Sequence, residues 1–491
     1  MPLVIGVDSS TQSTKAELRD LDTGELIATG RGSHPPTNPP VSEQDPNAWW
    51  GALVEAVRGL GDARRDAVAI SVAGQQHGLV LVDAAGRVVR PAKLWNDTES
   101  APQADALVRE LGADWWADWA GVVPVAAITI SKLAWVAQTE PDALAATAKV
   151  MLPHDWLTWR LCGAHVTDRG DASGTGWYDA TNDIALHEPF ARLGLDAETW
   201  VARLPTVLGP TATAGTLLGE TAEELGLRGE VVVGPGTGDN MGAALGLGLA
   251  EGDAVVSLGT SGTVYARTSS RAHDTSGAVA GFSDATGGYL PLVCTLNATK
   301  VTDTVAAWMG TDAAGLSELA LAAGTDVVEA TLVPWFDGER TPNRPDARGA
   351  MVGLRTDLTR EELARVAHDG VLGGLLNGLR ALEASGSVVD GRLLLVGGGA
   401  RSAAYRQRLA DLAERPVHVP GNDEAVAVGA AVQAAAVQSG SSIDSFRDGW
   451  GLSSTTITEP RAEAHAAEIR ARYDDASQFD DGLCRPLLPG S

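Results

Sequence analysis

Asp8 ends the apolar run LVIGVD and is followed by Ser9, Ser10, Thr11 and, after Gln12, Ser13. A carboxylate beside a hydroxyl-rich tight turn can hold the oxygen shell of a divalent cation such as Mg2+, while the turn's N–H groups face phosphate oxygens. An Asx-type turn in an ordinary hairpin gives the same pattern. Gly259, Thr260 and Ser261, in LGTSGT, make a second such turn. Glycine lets the backbone approach phosphate closely, and the two hydroxyls can donate to its oxygens. Either turn alone is common; two of them can grip one chain of phosphates from opposite sides. Gly398 and Gly399 follow the apolar run RLLLV, a position that suits adenine, phosphate at a helix start, or simply close strand–helix packing. Asp239, in GPGTGDN, stands where a helix is predicted to begin, with glycines before it that leave it accessible. There it can accept a proton from a hydroxyl, cap the helix, or do both. Gln76 and His77 in GQQHG and Trp95 in LWND offer directional hydrogen bonds and one flat apolar face, the needs of a hydroxyl-rich ligand. A lone histidine is more often structural, and one tryptophan among fourteen is core by default.

The elements that must position these residues follow from local pattern. LVIGVD reads as a buried strand, SSTQS as a turn, TKAELRD as a second strand and LIATG as a third. After a Pro-rich loop, Asp45-Pro46 reads as an N-cap followed by proline at the first helical position. DAVAISVAG and GLVLVDAAGRVV are strands around GQQHG, and 101–150 reads as amphipathic helices. Near 230–250, GEVVVGPGTGDN predicts strand, Gly-rich turn and helix start, and DAVVSLGTSGTVYA then repeats the opening strand–turn–strand. RLLLVGGGARS is a strand and turn, followed by the amphipathic helix AAYRQRLADLAER. Strands alternating with helices predict an α/β architecture, and the repeat predicts a duplicated domain.

At 491 residues the chain exceeds one core, so two domains are expected. The cuts fall at 1–248 (with the Asp8 turn and Asp239), 249–440 (with the 259–261 turn, Gly398 and Gly399) and 441–491 (a helical extension). The formal net charge of −26 repels polyanions and argues against nucleic-acid binding. No apolar run reaches membrane-span length. Cys162, Cys294 and Cys484 are too scattered for a disulfide framework or a metal site. With no leader-like start in MPLVIGVD, a cytoplasmic location is expected. GxxxxGK[ST] is absent and GPGTGDN lacks dinucleotide spacing, which argues against a P-loop or Rossmann enzyme.

In order along nearly the whole chain, GVDSSTQSTK, EQDPNAWW, GQQHG, LWND, ISKLAW, GTGDNMGAALG, LGTSGT, GERTP, GLRTDLTREELAR and GGGARS resemble the FGGY carbohydrate kinases, most nearly the branch acting on xylulose. The resemblance implies an α/β fold of two actin-like, ribonuclease-H-type domains with an interdomain cleft for ATP, Mg2+ and a sugar. It implies Asp239 as catalytic base and Asp8 as the aspartate at Mg2+ and phosphate, both near the metal. Gln76, His77, Trp95, Asp239 and Asn240 fall at substrate positions. Thr11, Gly259, Thr260, Ser261, Gly398 and Gly399 fall at ATP positions. Gln76 stands where the family has Met, and Val366 and His368 stand where small and aliphatic residues are usual.

The expected reaction is ATP-dependent phosphorylation of a ketopentose, D-xylulose to D-xylulose 5-phosphate. Ribulose, gluconate and glycerol stay open as acceptors. An actin- or chaperone-like ATPase shares the phosphate turns, but GQQHG, LWND and GERTP have no task in a filament or peptide clamp. Sugar and ATP are the expected partners, without nucleic acid or membrane, and a homodimer is compatible with the sequence.

Overall fold

The segment LVIGVDS forms strand β1 (Leu3–Ser9) because its apolar residues alternate across a fully buried ribbon. It pairs antiparallel with β2 (Ser13–Asp20), which pairs with β3 (Leu26–Ser33). Leu3, Ile5 and Val7 point into the core that holds Trp49, Leu53 and Val57 of helix α1 (Pro46–Gly59). Asp45 caps that helix as expected, accepting from the Asn47 N–H at 2.9 Å. The computed structural model describes residues 2–421, 424–462 and 465–478. Cys484 and the end of the 441–491 segment lie outside the described residues, and Cys162 and Cys294 are unpaired.

On its other side β1 runs parallel to β4 (Ala67–Gly74). The edge beyond β4 is built from β5 (Gly215–Thr216) and β6 (Val232–Val233), giving the order β5-β6-β4-β1-β2-β3. A two-residue strand, β7 (Thr237–Gly238), also pairs parallel with β4, at Ala73 and Gly74. The same two residues face Asp8 and Ser9 across the β1 side. Asp8, the GQQHG turn and Asp239 therefore leave three parallel strands at one carboxyl end, where ligands of open α/β sheets bind. Helices α2 (Pro153–Cys162) and α3 (Arg169–Ala172) and helix α4 (Asp239–Gly246) complete this end.

A second sheet repeats the plan. β8 (Ala254–Leu258) pairs antiparallel with β9 (Gly262–Ala266), and β9 with β10 (Tyr289–Thr295). On its other side β8 runs parallel to β11 (Leu393–Val396), followed by β12 (Val417–Pro420) and β13 (Thr455–Thr458). Helices α5 (Arg360–Ala384) and α6 (Ala403–Ala413) accompany it. Val366 and His368 are buried on α5, with the His368 ring 4.6 Å from that of Tyr405, so the two unusual residues in this stretch serve packing.

Helix α7 (Ala425–Ser439) packs back on β1 and β4. A Cβ on Gly6 would strike the Ala427 carbonyl, and α7 crosses α4 at glycines on both helices, Gly242, Gly246 and Gly429. Two compact units result, one of residues 2–249, 269–290 and 424–453, the other of 250–268, 291–421, 454–462 and 465–478. No single described helix is long and apolar enough to cross a membrane. The apolar α7 is consumed by burial, with residues 427–437 all buried.

Candidate active site

Thr237 and Gly238 must be extended to pair with β4, and Gly238 then caps α4, so Asp239 becomes its first helical residue. This corrects the capping alternative: Gly238, not Asp239, occupies the cap position. The residue is half-buried rather than openly accessible. Packed protein around the carboxyl strips its water and, with Asp8 and Asp171 adding negative field, pushes its pKa up to about 7. Asp8 is buried at the end of β1 and accepts the Ser10 hydroxyl at 2.5 Å. Burial raises its pKa to about 6, against the opposing pull of Ser10 and Lys15. Lys15 pairs with Glu424 at 2.5 Å.

Beside Asp239, Asn240 donates through Nδ2 to Gln76 Oε1 at 2.6 Å. Gln76 lies against Gly238, where a Cβ would come within 2.6 Å of its Cγ. The Gln76 amide thus holds Asn240, and among the described residues its buried Nε2 has no acceptor. His77 has φ 62°, the left-handed region, unusual for a residue with a side chain. Its N–H donates to Asp171 Oδ1 at 3.3 Å, and its carbonyl accepts from Thr129 Oγ1 at 3.2 Å. The Phe282 ring lies 5.0 Å away, and a Cβ on Gly174 would overlap the imidazole.

Trp95 is 43% exposed and so is not the core residue its type alone predicts. Its indole N–H donates to Thr11 Oγ1 at 3.0 Å, and Thr11 in turn donates to Gln75 Oε1 at 3.2 Å. Ser10, Thr11, Lys15, His34, Trp95 and Asn96 are among the residues lining an open cavity of ≈ 690 Å³. One sugar-side and one phosphate-side candidate therefore share a hydrogen bond.

In the second unit, Thr260 and Ser261 are exposed at the tip of the β8–β9 turn, and the Gly259 carbonyl accepts both the Thr299 N–H and its hydroxyl. Gly397 has φ 86° and sits against the Leu258 carbonyl. Gly399 is buried, with Leu258 Cβ 2.6 Å from where its own would lie, whereas Gly398 is exposed and unobstructed. The triple glycine thus serves close packing at 399 and leaves open backbone at 398.

Several residues at this end carried no motif. Asp168 caps α3, accepting from the Gly170 and Asp171 N–H groups, and takes the Thr237 hydroxyl at 2.8 Å. His154, wholly buried, faces Asp155, Asp168 and Asp171 at 3.3, 3.3 and 3.5 Å. Burial pulls its pKa down, but the three carboxylates outweigh that and push it up to about 9. The only sequence signal was an Asp-rich stretch, TDRGDASGTG, with nothing to link it to Gln76 or Asp239.

A profile of the FGGY family of carbohydrate kinases, N-terminal domain, matches residues 3–246, and its C-terminal domain matches 254–437. The xylulose kinase of Streptomyces rubiginosus is 47% identical over 459 residues, 93% of this chain and 92% of that protein. That of Streptomyces coelicolor is 46% identical over 97% of each chain. The crystal structure of xylulose kinase from Bifidobacterium adolescentis superposes with a TM-score of 0.86 at 39% identity, covering 97% of this chain and 99% of that one. With both domain profiles matched and the two sheets of the actin-like plan in place, the chain belongs to the FGGY family of carbohydrate kinases.

Proposed function

We propose that the protein transfers the γ-phosphoryl group of ATP to the terminal hydroxyl of D-xylulose, giving D-xylulose 5-phosphate and ADP, in the cytoplasm. The observation that carries the reading is the Gln76–Asn240 hydrogen bond beside a desolvated Asp239, with His77 next in sequence to Gln76, in a chain whose relatives are xylulose kinases. Asp239 accepts the proton of the O5 hydroxyl as the O5–phosphorus bond forms and the bond to ADP breaks. Its raised pKa makes it a base matched to neutral pH. Gln76, His77 and Asn240 orient the sugar hydroxyls, and Trp95 offers its exposed face to the C–H side. Thr11, Gly259, Thr260, Ser261, Gly398 and Gly399 bind ATP through backbone N–H groups and hydroxyls.

Two desolvated carboxylates, with the charge of Asp8 adding to the cost of ionising Asp239, are what a hard divalent cation relieves, so Asp8 and Asp239 fit Mg2+. Asp8 and Asp239 would hold the ion, which would supply neutralisation of the phosphate charge during transfer. ADP release measured against a panel of D-xylulose, D-ribulose, gluconate and glycerol tests the assignment. D-xylulose is expected to have the highest kcat/KM. A better rate with glycerol would remove the pentulose and leave the family alone.

A further inference from the structure

Asp171 Oδ1 lies 3.3 Å from two atoms of His77, the backbone N and Nδ1 of the ring. Asp171 is wholly buried and reaches this place because Asp168 caps the single turn α3 that carries it. Its other oxygen, Oδ2, faces His154 Nε2, which also faces the Asp168 oxygen Oδ1. The remaining Asp168 oxygen takes the hydroxyl of Thr237, two residues before Asp239. One buried imidazole therefore stands between a carboxylate that grips the GQQHG turn and a carboxylate that grips β7.

The backbone N–H of His77 makes the hydrogen bond, while Nδ1 faces the same oxygen at 3.3 Å without hydrogen-bond geometry and has no other partner among the described residues; imidazole has two nitrogens with opposite roles when neutral. A carboxylate accepts only, so the nitrogen facing it must carry the hydrogen. We infer that Asp171 is a positioning residue for the sugar site, fixing His77 in the Nδ1–H tautomer so that Nε2 is the acceptor for a sugar hydroxyl. His154 Nε2 lies between the two carboxylates, 3.3 Å from Asp168 Oδ1 and 3.5 Å from Asp171 Oδ2. The left-handed backbone at His77, the missing Cβ at Gly174 and the Phe282 ring leave the imidazole little freedom to choose otherwise. This rests on the reading of His77 as sugar-facing.

Long-range 1H–15N correlation spectra of the full chain labelled with 15N-histidine read the tautomer directly, with His77 assigned by its loss in His77→Gln. The expected pattern is Nδ1–H for His77 in the unliganded wild-type protein; an Nε2–H pattern overturns the inference. Asp171→Asn should raise the KM for D-xylulose about ten- to hundred-fold while the KM for ATP stays within a few-fold. Combined with His77→Gln, its effect should be far less than additive. Additive losses, or equal loss toward ATP, would reduce Asp171 to a structural role. Should Asp171→Asn fail to fold, the wild-type tautomer decides alone. A His77→Gln protein with unchanged KM for D-xylulose would instead sink the sugar-site reading, whatever the tautomer.

Discussion

At the residue scale, Asp239 combines usefulness and cost in one carboxyl. Its pKa is about 7 in the folded protein against an ordinary 3.8, chiefly through burial, so the ionised form is disfavoured by folding. Stability tied to the protonated acid is complete below pH 4 and is lost as pH climbs through about 7, and Asp8, at about 6, adds to the same trend. The ligand-free enzyme should therefore melt at lower temperature at pH 8 than at pH 5. Asp239→Asn should flatten that slope and be more stable than wild type at pH 8, by roughly 1 kcal/mol or more. The same change should cut turnover by about 10² to 10⁴-fold with ATP binding retained. Parallel melting curves and sugar-dependent ADP release decide both halves. A folded variant with near-normal turnover would remove Asp239 as the base, and an unchanged pH slope would place the buried charge elsewhere.

At the element scale, the position of α4 is set by α7, because the two helices approach through glycine. A Cβ on Gly429 would enter the carbonyl of Gly242, and one on Gly246 would enter that of Ala425. Gly429→Ala should thus force the helices apart, costing about 1–3 kcal/mol, and lower kcat because α4 begins at Asp239. Gly51→Ala is the control, since nothing lies within 4 Å of its Cβ at an exposed position of α1 and helix propensity favours alanine. Equal melting temperatures for the two variants would refute the close crossing. Much of this scale was legible in the sequence. β1, β2, β3, the Asp45 cap, β8, β9 and α6 all follow from local alternation, turn chemistry and capping, which need no tertiary knowledge. The return of α7 to β1 was not legible, because an Ala/Val-rich segment names no partner. Nor was the Asp171 contact with His77, since it spans 94 positions and depends on how α3 is seated. Trp95 and Asp239 show the same limit: the residue type and, for Asp239, the helix start were read from the sequence, while exposure was set by packing.

At the scale of the whole molecule, a chain of net charge −26 must recruit ATP, itself a polyanion. The long-range field opposes encounter, and any attraction must come from local groups such as backbone N–H donors at the turns. The two act over different distances, so salt separates them. At about 0.01 M ionic strength the Debye length is about 30 Å and the whole acidic surface is felt; at about 0.15 M it is about 8 Å and only neighbours count. Raising ionic strength across that range at fixed free Mg2+ should therefore lower the KM for ATP, by about two- to five-fold, through relief of repulsion. D-xylulose is neutral and feels no such field, so its KM should stay within about two-fold. A KM for ATP that rises with salt would mean that attraction by nearby cations outweighs the global charge. In that case Lys15, beside the Asp8 turn and already paired with Glu424, is the first residue to test, by Lys15→Met.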